Sequence, residues 1–342
     1  MASKPLPAAD LDHILAHTEP LWGELRDARL FITGGTGFFG KWLLETIAAA
    51  NDRLLTNVRA TVLSRSPQRF AVEMPHLAGR TEFNWITGDI TDFNFPDGVF
   101  THVFHFATAA SEQINNSQPQ VMLSTIVDGT RRVLNFAGER GVRRLLLASS
   151  GAVYGPQPEG MSHIPETYLG GPNPLSPASV YAEGKRMAEL LCTLTPEVEC
   201  VIARGFAFIG PHLPLDAHFA AGNFLRDALK GGPIILNGDG RSVRSYLHAA
   251  DMMIWLLTLL LRGQAGHAYN VGSDEAVTTL ELAQRIAALM SRRPEIRVLG
   301  TPDKKPVHLY VPDIEFCSTS QGLEVFLPLK DSLTRSLQWL TE

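Results

Sequence analysis

The chain has 342 residues, 45% of them hydrophobic, and a formal net charge of −5. That length suits one large α/β unit with a smaller lobe, or two domains. The mild charge, with no basic stripe and no acidic run, argues against nucleic acid as a partner and against a solvated tail.

The first 28 residues place Leu11, Ile14, Leu15, Leu21, Trp22 and Leu25 at the spacing of an amphipathic helix, with Pro20 as a break or restart. They are expected to form an extension packed on the main domain. No basic-then-apolar leader pattern is present, so a cytoplasmic location is expected. From Arg29 the pattern becomes alternating. Apolar strands "RLFIT", "VRATVLSR", "FNWITGDI", "HVFHFAT" and "RRLLLASS" are interleaved with helical stretches such as "KWLLETIAAAND" and "MLSTIVDGTRRVLNFAGERG". This alternation predicts an α/β fold with a doubly wound parallel sheet, mainly over 29–205. After Tyr154 the proline- and glycine-rich "GPQPEGMSHIPE" and "GGPNPLSPAS" read as an active-site rim. Residues 206–342 are expected to form mainly a smaller α/β substrate lobe, with the chain crossing back around 245–275. Within that crossing, "MMIWLLTLLL" at 252–261 is too short to span a bilayer and reads as a buried helix, so no membrane contact is expected. Cys192, Cys200 and Cys317 lack metal-ligand spacing and read as reduced, buried thiols, with no metal site.

"RLFIT" runs directly into "GGTGFFG" and then a helix. Gly34 would allow the tight turn and Gly37 the close approach of backbone to a pyrophosphate. Gly40 would let helix pack on strand, with N-terminal N–H groups facing the phosphates. Strand, loop and helix together predict a Rossmann-type NAD(P) site in which Gly34, Thr36, Gly37, Phe38, Phe39 and Gly40 face the cofactor. At the end of the second strand, "VLSRSP" offers Ser64 and Arg65 where an NAD-selective site usually carries an acid. Arg65 can clamp a 2′-phosphate, which favours NADP, or stack on the adenine of either cofactor. Asp89, with Ile90 beside it in "TGDI", can accept the adenine amino group or be an ordinary loop aspartate.

"SVYAEGKRMAELL" places Tyr181 and Lys185 four residues apart on one helix face. A phenol beside a lysine is stabilised as phenolate and can exchange a proton with a substrate alcohol or ketone. "LLLASSGAVYG" ends a strand at Ser149 and Ser150, where a hydroxyl can reach the reacting oxygen or cap the strand end.

Together, "GGTGFFG", "GDI", "HVFHFAT", "SSGAVYG" and "YAEGK" resemble the extended short-chain dehydrogenase/reductase superfamily. From about Arg29 onward the chain is similar to its nucleotide-sugar epimerase/dehydratase family, typified by UDP-glucose 4-epimerase. The resemblance implies Ser150, Tyr181 and Lys185 as the catalytic triad, and Phe106, Ala107 and Thr108 along the cofactor. Arg204 to Phe206 would lead the chain past the nicotinamide. Asn223 and Arg244 would contact the diphosphate of a nucleotide-diphosphate sugar, with Ile235 to Asn237 near its base. It also implies a homodimer through the Tyr–Lys helix, with Met187, Leu190, Leu191 and Leu194 as the face, although those residues can instead fill the monomer core. Thr278 or Thr279 would cap a later amphipathic helix.

The sequence departs from its relatives at informative points. The 4,6-dehydratases carry an Asp-Glu pair after the catalytic hydroxyl residue, and the UDP-glucuronate decarboxylases a glutamate in the same segment; here Ser150 precedes Gly151 and Ala152. The decarboxylases do share the "Y-x-E-G-K-R" wording. Ala207 stands where most relatives have a substrate-contacting asparagine, and "HLYVPD" lacks their late arginine. The expected activity is a 4-epimerase. The alternatives are an NADPH-dependent 4-ketoreductase of a 4-keto-6-deoxy sugar, then a decarboxylase or a non-catalytic dinucleotide sensor.

Overall fold

The computed structural model describes residues 3–108, 115, 117–216, 219–302 and 306–342. Strands β1 (Arg29–Thr33), β2 (Arg59–Ser64), β3 (Phe83–Thr87), β4 (His102–His105), β5 (Arg144–Ser150) and β6 (Glu199–Gly205) join the strand Ala268–Val271 in one seven-stranded sheet. Every pairing in it is parallel. From one edge the order is Ala268–Val271, β6, β5, β4, β1, β2, β3. The chain winds outward from β1 to β3, returns to β4 and winds the other way, so the order reverses between β1 and β4. In open parallel sheets ligands bind beyond the carboxyl ends of the strands at that reversal. The expected doubly wound Rossmann-type sheet is present.

Strands β1, β4 and β5 are buried along nearly their whole length, which explains their continuous apolar runs: helices cover both faces. On one face Leu30 and Ile32 pack with Trp42, Ile47, Met252 and Trp255. On the other, Phe31, Val103 and Leu145 pack with Val133, Phe136 and Ala188 of the helices Pro119–Glu139 and Val180–Thr193. The N-terminal helix α1 (Ala8–Trp22) belongs to the first of these cores through Leu11, Ile14, Leu15, Leu21 and Trp22. Pro20 neither breaks nor restarts it: the helix runs through this position and ends two residues later, at Trp22. A buried carboxylate pins the arrangement: Asp251 Oδ1 pairs with His13 Nε2 at 2.8 Å, and Oδ2 accepts the Leu327 N–H at 2.8 Å.

Residues 252–261 lie in the buried helix Ala249–Arg262, and among the described residues no helix is long and apolar enough to cross a membrane. All three cysteines are buried and free, and no cluster of metal-ligating side chains occurs among the described residues. The smaller lobe packs the helices Ala220–Leu229, Thr279–Leu289 and Leu329–Thr341 around Phe224, Leu282, Ile286 and Leu333. Thr278, not Thr279, caps the middle helix, reciprocally with Glu281. A small sheet sets Val243–Arg244 between Val277–Thr278 and Leu309–Tyr310. The crossing back takes the chain through Ala249–Arg262 and the edge strand Ala268–Val271.

Because Ile14 is wholly buried, Ile14→Ala should lower the free energy of urea unfolding by about 2–5 kcal/mol. A loss under about 0.5 kcal/mol would mean that α1 is peripheral.

Candidate active site

The glycine loop joins β1 to helix α2 (Phe38–Leu54). Gly34 has φ +70°, and a Cβ there would lie 2.7 Å from the backbone of Phe106 and Ala107. At Gly40 a Cβ would lie 2.3 Å from the Gly35 backbone, so only glycine lets α2 start this close to the turn. Gly37 differs. Its backbone is extended, it is exposed, and a Cβ would meet only the Gly34 carbonyl oxygen, at 3.3 Å. The chain itself does not require glycine at 37, which fits a position kept bare for a pyrophosphate. Phe39 packs edge-on against Phe106 and Phe208, Phe38 is half-buried between the two lobes' cores, and Thr36 is half-buried in the turn.

Across the sheet reversal, Ala107 N–H bonds Thr33 Oγ1 at 3.1 Å. Phe106 is buried, and the Thr108 hydroxyl is buried without a partner among the described residues. An orphaned hydroxyl just past Ala107, whose backbone lies against Gly34 of the glycine loop, fits a dinucleotide. At the far corner Ser64 is buried and its Oγ accepts the Ser66 N–H. Arg65 is exposed, with no ion pair among the described residues. Asp89 Oδ1 accepts from the Thr91 N–H and hydroxyl at 3.0 and 2.8 Å, the geometry of a turn-forming aspartate. Ile90 is buried against Gly129.

Ser150 ends β5, and the helix Val180–Thr193 brings Tyr181 and Lys185 beside it. Lys185 is buried, donates to the Ala148 carbonyl at 2.7 Å, and lies 6.0 Å from the centroid of the Tyr181 ring. Burial pulls the Lys185 ammonium down to about 8, opposed by the Glu189 carboxylate. Burial raises the Tyr181 phenol, and a hydrogen bond with Ser150 opposes that rise. Ser150 Oγ also accepts the Ala152 N–H at 3.2 Å. The three sequence-predicted catalytic residues therefore meet at one point, beyond the carboxyl end of the sheet.

Several of the other sequence-predicted residues have partners within the chain. Arg204 is one of them. It forms a two-pronged ion pair with Glu189 at 3.0 and 2.7 Å and donates to the Tyr154 hydroxyl, which in turn donates to Asn270. Ser149 bonds the same Glu189 at 2.5 Å rather than the reacting oxygen. Phe206 is buried, and its ring would lie 2.7 Å from any Cβ at Gly151. Asn223 is not a helix cap, a place taken by Phe219; its Oδ1 accepts from Arg226 at 3.0 Å. Ile235 N–H bonds Asp227, and Asn237 is exposed just past its strand. Ala207 contributes its carbonyl oxygen to Leu247 N–H. Arg244 is half-buried, 5.5 Å above the Tyr310 ring, with no acidic partner among the described residues. Sequence reasoning missed Tyr310 itself: its hydroxyl reaches to 3.4 Å from Ser150 Oγ. The only signal was that it replaced an expected arginine.

The glycine geometry separates binding from folding. Gly37→Val should leave the melting temperature within a few degrees while weakening NAD binding more than about tenfold by calorimetry. Gly40→Val should instead prevent folding. Equal NAD affinity in Gly37→Val would remove this loop from the cofactor site.

Residues 30–272 match the family model described as the NAD dependent epimerase/dehydratase family. UDP-glucuronic acid decarboxylase 6 of Arabidopsis thaliana is 30% identical, over 89% of this chain and 86% of its own length. UDP-glucuronic acid decarboxylase 1 of Danio rerio is 29% identical, over 92% of this chain and 72% of its own. The crystal structure of UDP-glucose 4-epimerase from Thermotoga maritima, with UDP-glucose, superposes with a TM-score of 0.74. It is 20% identical over 92% of this chain and 98% of that one, a likeness of fold. A Rossmann-type sheet with this glycine loop and this triad, and a family match over most of the length, place the chain in the NAD-dependent epimerase/dehydratase family of extended short-chain dehydrogenases/reductases.

Proposed function

We propose that the chain is an NAD(P)-dependent nucleotide-sugar 4-epimerase, which oxidises the sugar C4 hydroxyl transiently and returns the hydride to the other face of the 4-keto sugar. The observation that carries the reading is the meeting of Ser150, Tyr181 and Lys185 beside the glycine loop, with no spare carboxylate near them among the described residues. Bound NAD(P) would supply the hydride acceptor and donor. Tyr181 takes the C4 hydroxyl proton as hydride leaves and gives it back on return, so nothing is consumed. Ser150 shares the reacting proton, and the buried Lys185 ammonium favours the Tyr181 phenolate.

The packing at Gly151 supports a reaction without elimination. Relatives that remove water carry acid and base in this segment, yet here the Phe206 ring fills the space that a side chain at 151 would need. Two half-buried glutamates nearby are already engaged, Glu189 by Arg204 and Ser149 and Glu166 by the Asn270 N–H. In the smaller lobe Arg244, which has no acidic partner among the described residues, is the cation suited to a diphosphate. Asn223, Ile235 and Asn237 lie in the same lobe as further candidate contacts with the nucleotide. At the adenosine corner the exposed Arg65 favours a 2′-phosphate, hence NADP, and the second carboxylate oxygen of Asp89, with no partner among the described residues, is offered to the adenine.

A second reading, decarboxylation of a nucleotide-linked glucuronic acid, is favoured by the relatives named above. It opens with the same C4 oxidation, which turns the sugar into a β-keto acid that loses CO2. Purified protein should therefore be incubated with UDP-glucose, UDP-galactose or UDP-glucuronic acid, each with NAD or NADP, and the products identified by NMR. Interconversion of the two hexoses supports the epimerase. A UDP-pentose with released CO2 replaces it by the decarboxylase. Tyr181→Phe should cut turnover by about 10²–10⁴-fold and leave cofactor affinity within about twofold; undiminished turnover would overturn the mechanism.

We also propose a homodimer through the helices Pro119–Glu139 and Val180–Thr193. Met187, Leu190 and Leu194 are exposed on the second and Leu123 on the first, with Leu191 half-buried beside them. An exposed apolar face of this kind marks an association surface. Leu190→Glu should shift light scattering from the mass of two chains to that of one; a wild-type monomer would end the proposal.

A further inference from the structure

Tyr310 stands in the short strand Leu309–Tyr310, paired with Val243–Arg244. That pairing swings its ring over the catalytic end of the large sheet. The ring lies against Phe206 with centroids 4.7 Å apart, and its hydroxyl is 3.4 Å from both Ser150 Oγ and the Gly205 carbonyl oxygen. A serine hydroxyl has one proton to donate and two lone pairs to accept with. One lone pair of Ser150 takes the Ala152 N–H at 3.2 Å.

We propose that Tyr310 fills the second by donating its hydroxyl proton to Ser150 Oγ, which leaves the Ser150 proton directed at the Tyr181 oxygen. Tyr310 is then a positioning residue that keeps Tyr181 ready to exist as phenolate. A phenol oxygen that receives a hydrogen bond is stabilised when ionised, whereas one that donates is held protonated. Burial pushes Tyr310 up to about 12, so it remains a donor across the range in which Tyr181 would work. The charged and titratable groups facing the pair are Lys185, on the Tyr181 helix, and Arg244, over the Tyr310 ring, with His308 beside Arg244. Glu189 and His105 act on this site through Lys185.

The inference rests on Tyr181 as the proton-transfer group and not on which sugar is bound, so the test uses no substrate. Protein labelled uniformly with fluorotyrosine, whose phenol titrates well below that of tyrosine, would be followed by 19F NMR from about pH 6 to about pH 10. The Tyr181 and Tyr310 resonances are assigned by Tyr181→Phe and Tyr310→Phe. Tyr310→Phe keeps the ring packed on Phe206 and removes only the hydroxyl. In it Tyr181 should titrate about one pH unit higher than in the wild type. An unchanged or lower Tyr181 midpoint would overturn the proposal and give the Tyr310 proton to Gly205. A second comparison tests the relay itself: in a Ser150→Ala background, Tyr310→Phe should leave the Tyr181 midpoint unchanged, because the effect passes through the Ser150 hydroxyl. A shift that persists in that background would equally overturn it. Neither outcome bears on the sugar chemistry, which the product analysis above decides separately.

Discussion

The centre of the molecule is set by how closely two stretches of backbone approach where β1 and β4 end. Gly34 lies so near Phe106 and Ala107 that no side chain fits between them. The polar groups there form one ordered chain. Thr33 Oγ1 accepts the Ala107 N–H, and its proton goes to Nδ1 of His105 at 2.7 Å, because the neutral ring carries its one proton on Nε2. His105 Nε2–H then meets Thr130 Oγ1 at 3.0 Å, and Thr130 donates to the Ile126 carbonyl at 2.6 Å. Burial, aided by the nearby Lys185 charge, pulls His105 down to about 3 and keeps it neutral, as this chain of donors requires. That junction ties the end of β1 to the end of β4, the two strands between which the sheet order reverses, and links both to the helix Pro119–Glu139.

A second, partly buried network holds the helix Val180–Thr193 in place. Glu189 lies one turn beyond Lys185 and is tied to Arg204 on β6 and to Ser149 on β5. Removing either member of the Glu189–Arg204 pair would leave a half-buried charge without its partner, which destabilises the fold. The network extends through Tyr154 and Asn270 to the carbonyls of Ile164 and Asp313. It thereby joins the catalytic helix, the rim loop and the segment that follows Tyr310. The helix that carries Tyr181 and Lys185 is thus anchored by side chains other than those two.

What was legible in the sequence was local. The strand runs β1 to β5, the glycine loop, the Tyr181–Lys185 spacing and the Thr278–Glu281 cap are all written within a few consecutive residues. What was not legible depends on non-local pairing. Arg204 follows an apolar strand and gives no sign that Glu189 waits on a neighbouring helix. Tyr310 meets Ser150 across 160 residues of chain, through strands only two residues long that carry no periodic signal. Asn223 gives no sign in the sequence that its amide oxygen accepts from Arg226 one turn along the helix Ala220–Leu229. Pro20 looked like a break because a sequence cannot show that the helix ends two residues later.

The central claim is that hydride leaves C4 of a nucleotide-linked sugar and comes back to the same carbon. The most direct measurement is to supply UDP-glucose carrying deuterium at C4, with catalytic NAD, and locate the label in the product by NMR. The account predicts a product that retains deuterium at C4, with no accumulation of reduced cofactor. Turnover that deposits the deuterium in free NADH, or a product whose C4 carries protium from solvent, would contradict it.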